Sequence, residues 1–98
     1  MEVALAVTVK FVGSLRHVSG VNQLALDCGE SVSVKAVIAE ITEKRQELRR
    51  SLIDQQLEGS RPNALILVNG REISVLNGLE TMLKDGDEVV FVPVVHGG

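Results

Sequence analysis

Apolar and polar positions alternate over the first dozen residues. Val3, Leu5, Val7, Val9 and Phe11 fall on one side and Ala4, Ala6, Thr8 and Lys10 on the other, the two-residue period of a strand with one strongly apolar face. Gly13 and Gly20 bracket the next stretch, which reads as a loop. A second strand is expected over about residues 21–27, with Leu24 and Leu26, and then Cys28, on one parity. Two neighbouring strands suggest an antiparallel hairpin.

The period changes after Gly29. Val34, Val37, Ile38, Ile41, Leu48 and Leu52 form one stripe at the helical repeat, while Glu40, Glu43, Lys44, Glu47 and Arg49 lie opposite or beside it. Ser33 or Ser31 can cap the first turn through its hydroxyl. Arg45 falls on the stripe, with its aliphatic stem expected along apolar surface. The spacing predicts a helix of about 15 to 20 residues, roughly 22–30 Å long and able to cross a small sheet.

A polar loop with Gly59 and Pro62 follows at residues 55–63, and then Ala64 to Val68, apolar on both faces. Asn69-Gly70 suits a tight type I′ turn, with Ile73 and Val75 as a short return strand. Leu76-Asn77-Gly78-Leu79 reads as a turn or short 3₁₀ piece, and Asp85-Gly86-Asp87 as another turn. Val89-Val90-Phe91-Val92 is apolar at every position, as in a strand covered on both sides at the centre of a sheet. Pro93 lacks a ladder donor, so pairing is expected to stop there and residues 94–98 to leave as a flexible tail.

The order strand, strand, helix, strand, strand, strand predicts one domain over residues 1–98. It is an α+β fold, a mixed sheet with one main helix packed across it and the last strand beside the first. That is the β-grasp (ubiquitin-like) arrangement. Ninety-eight residues suit a single domain. A net charge of −3 argues against direct binding of nucleic acid. Phe11 and Phe91 are the only aromatic residues, too few for a base-stacking surface. No apolar run approaches the ~20 residues of a membrane span. The single cysteine cannot form an internal disulfide, so a cytoplasmic location is expected.

Chemistry is sparse along most of the chain. Cys28 has no Cys-x-x-Cys partner and reads as a partly buried filler at a strand end. His17, His96 and Cys28 lack the spacing of a zinc site, and Asp85, Asp87 and Glu88 belong to a turn, so no metal is expected. The ending is different. Residues 93–98 can reach roughly 20 Å beyond the last strand. Gly97 and Gly98 have no Cβ and can thread a narrow channel in another protein. A terminal carboxylate is ionised at neutral pH, and it can attack the α-phosphate of ATP to give an acyl adenylate.

Several segments in order resemble the ubiquitin-like sulfur carriers. This group includes the molybdopterin synthase small subunit, the thiamine-pathway sulfur carrier, the archaeal small modifiers and the eukaryotic ubiquitin-related modifier. The segments are Val9-Lys10-Phe11 with Leu15-Arg16 and Gly20, Ser33-Val34 before Val37-Ile38, Val68-Asn69-Gly70, the run from Leu79 through Lys84-Asp85-Gly86-Asp87-Glu88-Val89, and Gly97-Gly98. His96-Gly97-Gly98 is similar to the ending of the ubiquitin-related modifier, and Phe91-Val92-Pro93-Val94 to the synthase-type strand end.

The resemblance implies a carrier rather than an enzyme. Gly98 would be adenylylated by a ubiquitin-activating-type enzyme that uses ATP, with no cofactor bound to the carrier itself. The adenylate would become a thiocarboxylate for molybdopterin biosynthesis or tRNA thiolation, with the molybdopterin synthase large subunit or another sulfur acceptor as partner. Conjugation of Gly98 to target-protein lysines and a non-covalent binding module are the alternatives. Gly97, His96, Val95, Val94, Pro93 and Phe91 are the expected partner-binding residues. Phe11, Leu15 and Val92 are further docking candidates, though Phe11 and Phe91 also suit the core. The acidic excess suits a partner with a basic groove.

Overall fold

The computed structural model describes residues 5–43, 45–50, 52 and 64–93. Val3, Ala4, Lys44, the expected loop at 55–63 and the tail at 94–98 lie outside the described residues. Five strands form the main sheet in the order β2-β1-β7-β4-β5: β1 (Ala6–Phe11), β2 (Gln23–Asp27), β4 (Ala64–Val68), β5 (Arg71–Glu72) and β7 (Glu88–Pro93). β3 (Val32–Ser33) and β6 (Met82–Leu83) make a separate antiparallel pair.

The first and last strands run parallel at the centre, with Val9 opposite Val89 and Phe11 opposite Phe91. β2 flanks β1 and β4 flanks β7, both antiparallel. The inward side chains form rows across the strands, Phe11–Phe91–Ile66 and Val9–Val89–Val68. These close one apolar core with Val34, Val37, Ile38 and Ile41 of helix α2 (Val34–Glu43). Phe11 and Phe91 stack with centroids 5.7 Å apart, a geometry favoured by the ring quadrupoles. One main helix across a mixed sheet makes this a β-grasp fold.

Ser33 caps α2, its Oγ accepting from the Ala36 amide at 3.1 Å. The helix is shorter than its stripe predicts. It ends at Glu43, and Arg45 is extended (φ −131°) before α3 (Gln46–Arg49). Thr42 is buried and its hydroxyl donates to the Ile38 carbonyl at 2.6 Å, a back-bond that bends helices. Leu48 and Leu52 are nevertheless buried with the rest of the stripe. Arg45 is half-buried as expected, and its Nε also donates to the Ser19 carbonyl at 3.1 Å.

The stretch between Gly13 and Gly20 is a short helix, α1 (Ser14–Ser19), rather than a loop. Leu15 and Ser19, four residues apart, bury on one side, and Gly20 closes the helix with φ +82°. The return strand after Asn69-Gly70 is Arg71–Glu72, and Ile73–Val75 is a 3₁₀ turn capped by the Glu72 carboxylate. Gly78–Glu80 forms a second 3₁₀ turn, in keeping with the sequence.

Two substitutions separate core from cap in a urea titration. Phe91→Ala is expected to cost about 3–5 kcal/mol, and Ser33→Ala about 1 kcal/mol. Equal shifts would contradict the core assignment.

Candidate functional site

β7 owes its central place to a network at its start. The Ala6 amide donates to Asp85 Oδ1 at 2.8 Å, and the Gly86 amide donates to the Ala6 carbonyl at 2.8 Å. Asp87 accepts from the Lys84 amide and from Asn69 Nδ2, while Asn69 Oδ1 accepts from the Glu88 amide. The Asp85-Gly86-Asp87 carboxylates are thus committed to holding turns. Among the described residues, no group of three His, Cys, Asp or Glu side chains is placed to hold a metal.

At the other end, the Val12 amide donates to the Phe91 carbonyl at 3.1 Å, the last rung beside β1. Pro93 lies opposite Ala64 and contributes no further donor. Gly13 passes close to its ring. A Cβ at Gly13 would stand 3.1 Å from Pro93 Cγ, and the glycine holds φ +62°. The absent side chain therefore lets the start of α1 close over the root of the tail.

The sheet face opposite α2 carries apolar side chains at this root. Leu65 lies opposite Val92, and Val12 continues the register of β1 beside Val92. Val12 and Leu65 are each 44% exposed, and Val90, Val92 and Leu67 are half-buried. The Lys10–Glu88 ion pair at 2.8 Å lies on the same face, toward the start of β7. Uncovered apolar area bordered by charge is the usual look of a protein-docking surface.

The expected site residues divide sharply. Pro93 stands at the root of the tail. Val94, Val95, His96, Gly97 and Gly98 lie outside the described residues. Phe91, expected among the partner-binding residues, is fully buried, as are Phe11 and Leu15 almost completely. Strand parity turns Phe11 and Phe91 inward and Leu15 is buried from α1, so all three fill the core and present no docking surface. Val92 does reach the outer face. Val12 and Leu65 were missing from the expected set, although Ala64–Val68 shows the same two-sided apolar pattern that marked β7.

Cys28 is half-buried beyond the end of β2. Burial, then the nearby Glu40 and Asp27 carboxylates, push its thiol above the usual range. That disfavours the reactive thiolate at neutral pH. His17 is exposed on α1. No helix among the described residues is long and apolar enough to cross a membrane.

The fold, with its last described strand at the centre of the sheet, defines a ubiquitin-like protein. The ThiS family matches residues 9–98, and the chain belongs to that family of ubiquitin-like sulfur carriers and modifiers. A candidate sulfur carrier protein of Archaeoglobus fulgidus is 34% identical over 85 residues, which cover 86% of this chain and 96% of that protein. Small archaeal modifier protein 3 of Haloferax volcanii is 31% identical over 91 residues, 92% of this chain and 96% of its own. The solution structure of small archaeal modifier protein 1 from Methanosarcina acetivorans has a TM-score of 0.79 at 36% identity, covering 98% of this chain and 99% of that one.

Gly13→Ala should destabilise the domain by about 1–3 kcal/mol and displace Pro93. Gly20→Ala, with nothing within 4 Å of its Cβ, should cost less. Thermal unfolding checks the order, and the reverse order would contradict the tight closure at Pro93. Cys28 should be alkylated by iodoacetamide at neutral pH more slowly than free glutathione. A faster reaction would mean that its thiol is not raised.

Proposed function

We propose that this chain is a sulfur carrier that reacts through the α-carboxylate of Gly98. A ubiquitin-activating-type enzyme binds the carrier and ATP. The carboxylate oxygen attacks the α-phosphorus, pyrophosphate leaves, and the acyl adenylate forms. Hydrosulfide supplied by the partner system then attacks the acyl carbon, AMP leaves with the bridging oxygen, and loss of the sulfur-bound proton gives the thiocarboxylate. Its sulfur passes to a molybdopterin precursor, a tRNA base or another acceptor. The carrier itself needs neither a catalytic base nor a bound cofactor for these steps, because the activating enzyme supplies both ATP and catalysis. A cytoplasmic setting fits that supply of ATP.

The observation that carries this reading is the end of β7. β7 is paired on both sides as far as Phe91, and Pro93 is then held by Ala64 opposite it and by Gly13 close against its ring; Gly98 follows five residues later. A rigid root with a tail of roughly 20 Å reach presents a carboxylate at a distance from the folded body. Gly97 and Gly98 suit a narrow channel. Val94, Val95 and His96 would line the way in, and the Val12–Val92–Leu65 surface would meet the partner beside it.

A second reading shares the first step. Two of the similar proteins are small archaeal modifiers, which favours conjugation of the activated Gly98 to lysines of target proteins. A lysine amine attacks the acyl carbon in place of sulfur, and an isopeptide bond results.

With the host's activating enzyme, the chain should support ATP–pyrophosphate exchange. Deletion of Gly98 should abolish exchange while leaving the unfolding midpoint unchanged. Leu65→Asp should raise the KM for the carrier about tenfold, the effect of losing a well-packed interface side chain. Exchange that survives loss of Gly98 would contradict the proposal.

A further inference from the structure

Among the described strands, β2 is the outermost on its side of the sheet and pairs with β1 alone. The Phe11 amide donates to the Asn22 carbonyl, and the Cys28 amide to the Leu5 carbonyl. Alternation along an antiparallel pair therefore turns the backbone groups of Asn22, Leu24, Leu26 and Cys28 toward β1. Those of Gln23, Ala25 and Asp27 point away from the sheet, and no described strand covers them.

A groove of about 330 Å³ opens beside this edge, lined by Leu26, Cys28, Val32, Ala36 and Val37 with Asp27 and Glu40 at its rim. Its floor is apolar and continuous with the core, against which Leu24, Leu26, Cys28 and Val32 pack. Asp27 and Glu40 are exposed, and among the described residues neither is in an ion pair. Both carboxylates act on Cys28, which places their negative field in the groove. An edge with free backbone donors and acceptors is a template for another strand. The acidic rim selects what can use it. A second copy of the same edge would bring like charges together, whereas a basic segment would not.

We propose that the free edge of β2 and the adjoining groove bind an extended segment of a partner protein by strand addition. The segment carries apolar side chains alternating with lysine or arginine. Its backbone pairs with Gln23, Ala25 and Asp27, its apolar side chains enter the groove, its alternating cations lie on the Asp27 side of the edge, and the Glu40 charge at the groove adds to their attraction. This site is separate from the tail and does not depend on Gly98 chemistry.

The probe is an acetylated and amidated seven-residue peptide of alternating lysine and valine, titrated into the ¹⁵N-labelled chain. Saturable shifts are expected at residues 23–28 and at Ala36 and Glu40. The Ala25 and Asp27 amides should gain hydrogen-exchange protection, while those of Leu24 and Leu26, already directed at β1, should change little. Asp27→Lys combined with Glu40→Lys should weaken this peptide about tenfold, as loss of two exposed ion pairs would, and favour a glutamate–valine peptide instead. Ala25→Pro removes an outward donor and should abolish binding. The charge-reversed variant, altered only at exposed side chains, decides the matter should the proline variant fail to fold. No saturable shift at about 1 mM peptide, shifts without alternating protection, or equal binding of both peptides by the charge-reversed variant would each overturn the proposal.

Discussion

Parallel pairing of β1 with β7 is the constraint on which the rest of the molecule depends. It joins segments about eighty positions apart and places the last strand at the centre of the sheet. Loop closure over that distance is entropically costly, and both local polar contacts and buried apolar rows offset it. The Asp85 and Gly86 contacts with Ala6 fix where the pairing starts. Phe11 on Phe91 and Val9 beside Val89 hold it against α2. With β7 set between β1 and β4, its end at Pro93 is held at one defined point.

On the proposed reading, that point gives a domain whose described residues carry little reactive chemistry a way to take part in group transfer. The carboxylates of the Asp85-Gly86-Asp87 turn are tied up in hydrogen bonds, and the lone thiol is raised above its ordinary range. What the described residues leave open is the end of β7 at Pro93 with an apolar surface beside it, and the proposed reaction at Gly98 leaves the catalysis to a partner. Membership of the ThiS family fits this division of labour.

Much of this architecture was legible in the residues. A strand apolar at every position from Val89 to Val92 pointed to the centre of the sheet, where β7 does sit, but cover on both faces did not follow: Val89 and Phe91 are buried against the core, while Val90 and Val92 stay half-buried on the open face. Ser33 and the stripe from Val34 to Ile41 marked the main helix because capping and periodicity are local. The break before Arg45 was hidden: Leu48 and Leu52 still fall on the buried stripe, so periodicity alone does not register the Thr42 back-bond. The helix between Gly13 and Gly20 was hidden too, since two bracketing glycines read as loop ends until tertiary contacts bury Leu15 and Ser19. Phe91 shows the same limit at the candidate site. A doubly apolar strand does not reveal which parity meets the helix, so Phe91 and Val92 were distinguishable only once their neighbours were placed. The terminal glycines stood out through resemblance and chemistry rather than through any periodic pattern.

The molecule thus offers two surfaces on one sheet, the open face beside Pro93 with Val12, Val92 and Leu65, and the acidic groove along the β2 edge. Only the first bears on the central claim, that Gly98 is the reacting residue. The most direct measurement is the intact mass of the chain recovered from its native host, with fragmentation of its C-terminal peptide. The account predicts a fraction in which one oxygen of the Gly98 carboxylate is replaced by sulfur. A chain carrying only an unmodified carboxylate at Gly98, under conditions where the host's sulfur-transfer pathways are active, would contradict it.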